Sequence, residues 1–267
     1  MNVLVTLDRN YIGPLRVMLR SLADSNPDER FDLYIAHAGL TAEELASIGA
    51  FPESVRFTFF PIRLEAGAFG GAVVTDRYPI EMYFRIFAAQ YLPPALTRIL
   101  YLDPDVIVKG PVRGLYDIDF GPALFAGATH IRKPLQILNE LRLGVQDTEI
   151  YVNSGVLMLN LTRLRNELDT ETALRTINEC QRPLLLPDQD ILTILCGDRI
   201  KAVSALRYNL SDRIFRMYQR SPLPEERIDL DWVEKNTSIL HFCGRNKPWN
   251  PDYAGPLGFY YDKYLTE

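Results

Sequence analysis

Hydrophobic residues occur in short runs that alternate with segments of helical spacing. The predicted strands are Val3–Leu7, Phe31–Ala38, Val55–Phe60, Arg98–Tyr101, Ala123–Ala128, Val156–Leu161, Ile200–Ser204 and Ile239–Phe242. Apolar residues three or four positions apart predict helices at Pro14–Ala23, Met82–Gln90, Leu164–Cys180 and Gln189–Leu195. This alternation predicts an α/β fold with a mainly parallel central sheet covered by helices on both faces.

Three further segments qualify this pattern. Thr41 and Glu44 have the spacing of a capping box, which predicts that a helix begins after the second strand. Ala66–Val74 is rich in glycine and alanine, and Ser211–Glu226 contains two prolines among mixed charges. We expect both to be irregular loops, and loops of this length serve either as lids over a site or as flexible surface.

The composition is that of an ordinary folded domain. Of the 267 residues, 47% are hydrophobic and 24% are charged, and the formal net charge is −5. The acidic balance, with no basic run, argues against nucleic-acid binding. Cys180, Cys196 and Cys243 include no C-x-x-C pair and are predicted to be free thiols in a reducing compartment. Without a signal-length or membrane-spanning apolar stretch, we expect a cytoplasmic protein.

Two carboxylates follow the strand that begins at Arg98. Asp103 and Asp105 are separated only by Pro104, so in extended chain their side chains lie on one side. Carboxylates held together repel each other unless a cation lies between them. The carboxyl edge of an open α/β sheet is also where ligands bind. We therefore expect a divalent cation that bridges the pair to a diphosphate and neutralises charge on the leaving phosphate.

A phosphatase of the haloacid dehalogenase type is a rival interpretation of the same pair. In such an enzyme Asp103 would be a covalent nucleophile. That motif usually lies near the start of the chain, with Thr or Val two residues beyond the second Asp. Here a strand–helix–strand unit precedes the motif, and Ile107 occupies that position.

A second cluster of chemically informative residues begins at His241, which ends the last predicted strand. Gly244 and Lys247 follow it, and Pro-Trp closes the motif at Trp249. An imidazole can ligate a metal, glycine lets backbone N–H groups approach a phosphate, and lysine supplies a positive charge. If His241 faces Asp103 and Asp105, the site has two carboxylates and one imidazole.

The ordered set of motifs resembles glycosyltransferase family 8, which includes bacterial lipopolysaccharide galactosyl- and glucosyltransferases and the glycogenins. The resemblance extends from Asn2 to about Trp249. Its motifs are Thr6-Leu-Asp-Arg-Asn-Tyr11, Tyr83-Phe-Arg85, Leu100-Tyr-Leu-Asp-Pro-Asp105, Val152-Asn-Ser-Gly-Val156, Leu186-Pro-Asp-Gln-Asp190 and His241-x-x-Gly-x-x-Lys-Pro-Trp249. Each motif is weak alone, and their common order makes the set specific.

The resemblance implies a GT-A fold and retaining transfer of a hexose, galactose or glucose, from a uridine diphosphate (UDP) sugar. It implies manganese, with magnesium as a substitute. By the same resemblance, the metal ligands are Asp103, Asp105 and His241, and the catalytic pair is Asp188 and Gln189. The implied donor-binding residues are Thr6, Asp8, Asn10, Tyr11, Arg85, Asp103, Pro104, Asp105, Asn153, Ser154, Gly155, Gly244 and Lys247. A single domain, residues 1–267, would bind nucleotide sugar through about 1–110 and acceptor through about 111–267.

The acceptor side is less defined. The implied acceptors are a saccharide, a lipooligosaccharide or a glycoprotein, and the resemblance allows transient contact with the inner membrane surface. Many relatives carry a basic, aromatic C-terminal tail, whereas this sequence ends at Glu267 without one, and His130 occupies a position where relatives often carry a carboxylate. The oligomeric state is not indicated.

Structural roles compete with several of these assignments. Asp8 and Asn10 could cap the helix near Pro14, and Asp188 could be an N-cap. Arg85 could pair with a carboxylate at the edge of the core. Two other functions also remain open, the phosphatase above and a non-catalytic module that binds sugar nucleotides or glycans.

Overall fold

A seven-stranded sheet forms the centre of the protein, in a computed structural model that describes residues 1–65, 81–129, 150–179 and 186–265. The strands are β1 (Asn2–Thr6), β2 (Phe31–His37), β3 (Phe57–Arg63), β4 (Arg98–Leu102), β5 (Val106–Val108), β6 (Phe125–Ala128), β7 (Val156–Asn160), β8 (Ile200–Val203) and β9 (Ile239–His241). The main sheet has the order β3-β2-β1-β4-β7-β6-β8, and β5 pairs with β9 in a separate sheet.

The predicted α/β class with a mainly parallel sheet is confirmed. Strand β7 is antiparallel to both of its neighbours, β4 and β6, and the other pairs of the main sheet are parallel. Alternate residues of β1 enter different hydrophobic clusters, Val3 and Val5 in one and Leu4 in the other. Since successive side chains of a strand point to opposite faces, the sheet is covered on both sides.

Helices connect most of the strands. The α-helices are Ile12–Ser25, Ala42–Ile48, Glu81–Phe84, Ala88–Tyr91, Arg113–Tyr116, Leu161–Glu167, Thr170–Glu179, Pro187–Cys196, Ala205–Tyr208, Asp212–Gln219, Leu230–Asn236 and Gly258–Asp262. Short 3-10 helices cover Arg9–Tyr11, Pro52–Arg56, Gly197–Arg199 and Pro224–Glu226. The predicted capping box is confirmed, because Thr41 and Glu44 each accept the other's backbone N–H.

Two predicted helices are each divided in two. Turn residues 85–87 separate Glu81–Phe84 from Ala88–Tyr91. Among them, Arg85 is buried and its side chain forms two ion pairs. The second division falls at Leu168 and Asp169, where the Asp169 carboxylate accepts the backbone N–H of Thr172 at 2.8 Å and starts a new helix. Capping by a side chain thus competes with continuation of the helix.

The prediction of an irregular loop at Ser211–Glu226 was wrong. Residues Asp212–Gln219 form a helix whose N-cap is Ser211, and Ile214 and Phe215 bury its inner face. Pro222 and Pro224 lie beyond the end of this helix and therefore do not interrupt it. A short helix with few apolar positions is stabilised here by its cap and by tertiary burial, which a local pattern does not reveal.

Some predictions concern residues that the structure does not describe. Ala66–Val74, His130 and Cys180 lie outside the described ranges. Cys196 and Cys243 are free thiols, as predicted. In the described ranges, no helix has the length and apolar composition needed to cross a bilayer.

The small sheet places the end of the chain against the centre of the fold. Val106 of β5 pairs with His241 of β9 in antiparallel register. The helix Ile12–Ser25 packs against β5, where buried Ser21 accepts the Val108 N–H at 3.0 Å and donates to Met18 O at 2.7 Å. Ser21 therefore links the first helix to the strand that follows Asp105.

Replacing Ser21→Ala should lower the free energy of unfolding by about 1–3 kcal/mol, because the buried N–H of Val108 would lose its acceptor. Urea denaturation followed by circular dichroism measures this. Ser47→Ala is the control, since the Ser47 hydroxyl bonds only to Glu44 O of its own helix, and its effect should stay within about 0.5 kcal/mol. Equal effects of the two changes would contradict the role of Ser21.

Candidate metal and nucleotide-sugar site

Two carboxylates and one imidazole converge where β4 ends and the small sheet begins. Asp103 follows β4, Asp105 precedes β5, and His241 ends β9. One ligand atom from each of the three lies within 4.8 Å of the others. The sequence-predicted metal set is therefore brought together by the fold.

The ring of His241 is oriented by a buried amide. His241 Nδ1 lies 2.9 Å from Asn209 Oδ1, and Asn209 Nδ2 donates to Asn153 Oδ1 at 2.9 Å. Asn153 Oδ1 also accepts the Gly155 N–H, at 3.0 Å. Because an amide oxygen can only accept, Nδ1 must carry the hydrogen, and in the neutral ring Nε2 presents a lone pair.

That lone pair faces the carboxylates. His241 Nε2 is 3.2 Å from Asp105 Oδ1 and 3.8 Å from Asp103 Oδ2. Asp105 Oδ1 is buried and has no hydrogen-bond partner within the described ranges. Three electron-rich atoms at these distances repel each other unless the imidazole is protonated or a cation binds between them. The donor set therefore fits a divalent metal ion.

Gly155 leaves space beside these ligand atoms. A Cβ built on this residue would lie 2.3 Å from His241 Cε1, 2.5 Å from Asp103 Oδ2 and 2.9 Å from His241 Nε2. Its carbonyl accepts the Asp103 N–H at 2.7 Å, so the backbone is held against the site. Any side chain at this position would fill the space between two of the ligands.

A partly buried lysine, Lys247, lies beside Asp105. Lys247 Nζ contacts Asp105 Oδ2 and donates to Phe242 O at 3.0 Å. Burial opposes ionisation of Asp105, but Lys247 and His241, the latter when protonated, hold its pKa below the usual value. Burial likewise opposes the charge of Lys247, whose pKa is nevertheless raised by Asp105. Both groups therefore stay charged.

Arg85 connects Asp103 to the helix Pro187–Cys196. Its guanidinium lies 3.0 Å from Asp103 Oδ1 and 3.2 Å from Asp188 Oδ2, and it donates to Ser154 O at 3.0 Å. Ser154 Oγ also donates to Asp188. Burial opposes the charge, but Asp103, Tyr101 and Asp188 raise the pKa of Arg85 above its usual value. Arg85 thus pairs with carboxylates at the edge of the core.

The predicted catalytic pair occupies the first turn of the helix Pro187–Cys196. The N-cap is Leu186, so the alternative assignment of Asp188 as N-cap is wrong. Its carboxylate instead contacts Arg85 and Ser154. The side chain of Gln189 is half-buried and makes no hydrogen bond to any residue that the structure describes. Within the described residues, Asp188 is therefore held by neighbouring side chains, whereas the Gln189 amide is not.

Asp8, Asn10 and Tyr11, which were predicted to bind the nucleotide, follow the end of β1. Asp8 accepts the Asn10 N–H at 2.8 Å and caps the 3-10 helix Arg9–Tyr11. The helix that contains Pro14 has Tyr11 as its N-cap, so the alternative that Asp8 and Asn10 cap that helix is wrong. It also lines an open cleft of about 400 Å³ together with Arg9 and the segment 38–40. The Tyr11 ring packs edge-on against Trp249, with centroids 5.8 Å apart. Capping and ligand binding are compatible, since Asp8 borders the cleft.

The remaining predicted residues lie close to this centre. Thr6 Oγ1 lies 2.9 Å from the Tyr101 hydroxyl, which donates to Asp103 Oδ1 at 2.6 Å. Pro104 lies between the two metal carboxylates and is buried. Gly244 has φ +121°, a conformation that favours glycine. Outside residues 103–105, the predicted donor-binding residues thus come from four separate segments of the chain: Thr6–Tyr11, Arg85, Asn153–Gly155 and Gly244–Lys247.

Two buried residues were missed by the sequence analysis. Asn209 is completely buried and orients His241, and Tyr101 supplies Asp103 with a hydrogen bond. Tyr101 belongs to the motif Leu100-Tyr-Leu-Asp-Pro-Asp105, but its place in the apolar pattern of β4 is typical of a core residue. Asn209 lies in no motif. In the local sequence it is only a polar residue that directly precedes Leu210, and Leu210 forms a β-bridge with Leu240 of β9.

Two relatives align with nearly the whole of this chain. A lipopolysaccharide 1,2-glucosyltransferase of Escherichia coli K12 is 26% identical over 98% of this chain and 76% of that protein. General stress protein A of Bacillus subtilis is 25% identical over 100% of this chain and 93% of its own length.

Solved structures have the same fold. Galactosyltransferase LgtC in complex with donor and acceptor sugar analogs superposes with a TM-score of 0.78 at 23% identity, over 99% of this chain and 95% of that one. The expected GT-A fold is thereby confirmed. The profile described as Glycosyl transferase family 8 matches residues 2–252. The order of motifs, the fold and this match agree, and the chain belongs to glycosyl transferase family 8.

Proposed function

We propose that this glycosyltransferase moves a hexose from a UDP-sugar to a hydroxyl group of a saccharide acceptor, with retention of configuration and with a divalent metal. The observation that carries the proposal is the arrangement of Asp103, Asp105 and His241 around the space beside Gly155. Names of relatives, a glucosyltransferase and a galactosyltransferase of lipopolysaccharide, support glucose or galactose as the hexose. Lipooligosaccharide and glycoprotein acceptors fit the same chemistry.

The charges at the site support a metal-bound diphosphate. Asp103, Asp105 and Asp188 supply three negative charges, whereas Arg85 and Lys247 supply two positive charges. With a neutral His241, the cluster has a net charge of −1 and would repel a diphosphate. A divalent ion changes that net charge to +1.

Manganese suits this donor set better than magnesium. An imidazole nitrogen combined with carboxylate oxygens favours a transition metal, whereas magnesium prefers oxygen and water and would be a poorer substitute. When bound, the ion supplies Lewis-acid stabilisation of the leaving diphosphate. Lys247 adds a second positive charge for the same phosphates, and the backbone at Gly244 can approach them closely.

The nucleoside would occupy the cleft at the ends of β1 and β2. Its position at the carboxyl edge of the sheet is where α/β folds bind nucleotides. Asp8 borders this cleft, and a carboxylate can accept the imide N–H of uracil. Asn10 donates to Asp8 at 3.2 Å and thereby holds that carboxylate in place.

The different side-chain contacts of Asp188 and Gln189 support a role for the Gln189 amide in stabilising positive charge. Asp188 is held by Arg85 and Ser154, which makes it a positioning group that fixes the start of the helix. Gln189 has no competing hydrogen bond in the described residues, and its amide oxygen can stabilise positive charge on an oxocarbenium-like carbon. The leaving diphosphate would accept the proton of the incoming hydroxyl, so that attack occurs on the face it leaves.

The phosphatase alternative is disfavoured by the environment of Asp103. One of its oxygens already receives the hydroxyl of Tyr101 and the guanidinium of Arg85. Such donors reduce nucleophilicity and suit a metal ligand. A panel of nucleotide sugars with manganese, scored for donor hydrolysis by mass spectrometry, tests the function directly, and a non-catalytic module would give no hydrolysis.

Replacing Gly155→Ala should weaken Mn²⁺ binding by roughly 100-fold or more, because the new methyl group enters the space between Asp103 and His241. Asp105→Ala should largely abolish activity. Electron paramagnetic resonance of free Mn²⁺ measures the binding. Gly13→Ala is the matched control, since nothing lies within 4 Å of its added Cβ. Unchanged Mn²⁺ affinity in Gly155→Ala, or full activity in chelator, would contradict the metal site.

Uridine diphosphate should bind about tenfold more tightly than cytidine diphosphate, because cytosine lacks the imide N–H that Asp8 would accept. Calorimetry in the presence of Mn²⁺ measures both constants. In Asp8→Asn the new amide can donate to cytosine, so the preference should shrink or reverse. Equal affinity of the wild type for the two nucleotides would count against this assignment.

Gln189→Ala should lower kcat by a factor on the order of 10–1,000, as loss of one electrostatic group does, and leave metal and UDP binding intact. Gln90→Ala, an exposed change on another helix, is the control and should leave kcat unchanged. Proton NMR of early product from an α-linked donor reports stereochemistry. A β-linked product would refute retention.

A further inference from the structure

A cleft of about 330 Å³ borders the metal site on the side of the helix Asp212–Gln219. Its walls are the start of that helix and the loop that follows β9, from His241 to Asn246. Lys247, Asp103 and Asp105 do not line it. The cleft therefore shares His241 with the candidate metal site and Gly244 with the proposed diphosphate position, whereas Lys247 and the two carboxylates lie outside its lining.

Arginine side chains dominate the charge of this cleft. Arg213, Arg216 and Arg245 line it, against one carboxylate, Asp212. That carboxylate is held by the Tyr253 hydroxyl and accepts the Leu257 N–H at 3.0 Å. It is thus turned to the C-terminal segment and does not pair with the arginines.

The three arginines have no carboxylate partner within the described residues. Arg216 donates to Ala254 O at 3.0 Å, whereas Arg213 and Arg245 are exposed and form no ion pair or side-chain hydrogen bond with any residue that the structure describes. Elsewhere, exposed Arg113 pairs with Glu29, and partly exposed Arg163 pairs with Glu167. A concentration of unpaired guanidinium groups is unexpected in a protein whose net charge is −5.

We propose that this cleft binds a phosphate group of the acceptor, so that the acceptor is a phosphorylated saccharide. This inference rests on the proposed function. The planar guanidinium group matches the geometry of phosphate oxygens and forms paired, charge-assisted hydrogen bonds with them. His241 forms part of both the cleft wall and the metal site, so a phosphate bound there anchors the acceptor next to the reacting carbon.

The donor diphosphate is the other source of phosphate that could occupy the cleft. Lys247 and a bound metal ion would already provide positive charge for the diphosphate, and Lys247, Asp103 and Asp105 lie outside the cleft lining. The two sources therefore make opposite predictions once UDP is bound. An acceptor phosphate binds beside bound UDP, whereas a donor phosphate site is already filled.

Calorimetric titration of glucose 6-phosphate and methyl glucoside into protein saturated with UDP and Mn²⁺ tests this. We expect the sugar phosphate to bind at least about tenfold more tightly than the neutral sugar. The double variant Arg213→Gln/Arg245→Gln should lose that difference and keep its UDP affinity. Arg220→Gln is the matched control, because Arg220 is exposed and follows the same helix outside the cleft.

Each other outcome overturns the proposal. No preference for the phosphorylated sugar, or a preference that survives in the double variant, removes the cleft as its site. A double variant that binds UDP as poorly as it binds the sugar phosphate assigns the arginines to the donor. Failure of UDP and Mn²⁺ to bind in the first place contradicts the proposed function instead, so the two failures are distinguishable.

Discussion

The buried guanidinium of Arg85 joins the ends of the paired strands β4 and β7 to the start of the helix Pro187–Cys196. It contacts Asp103 after β4, Ser154 before β7 and Asp188 at the start of a helix. Removing one partner of such a group would leave charge buried without compensation, which costs several kcal/mol. The relative positions of the metal carboxylates and of the Asp188–Gln189 turn thus depend on this cation.

Hydrogen-bond chains complete the alignment from both sides of the carboxylates. On one side Thr6 and Tyr101 lead to Asp103. On the other, Asn153 and Asn209 lead to His241. Every acceptor and donor in these chains has a defined direction, so the ligand atoms are already oriented before any ion binds. Preorganised groups of this kind need little rearrangement during a reaction.

The sequence predicted what depends on local pattern. Strand periods and the strand-end carboxylates are short-range signals, and the α/β class and the Asp103–Asp105 pair followed from them, whereas the family resemblance joined His241 to the pair. It did not predict features that depend on distant partners. Asn209 acquires its role only because β9 lies beside it. The helix at Asp212–Gln219 was missed because its stability comes from a cap and from burial of Ile214 and Phe215.

The small sheet also has a consequence for the order of synthesis. Lys247 and Asp105, which touch, are separated by 142 positions in the chain, and His241 reaches its partners only when β9 pairs with β5. Such non-local pairing forms late and slowly compared with local structure. At translation rates of about 5–20 residues per second, the first carboxylates leave the ribosome many seconds before their imidazole partner. A nascent chain therefore has β1 and β2 before Asp103, Asp105 and His241 come together, and that cluster stays incomplete until β9 is in place.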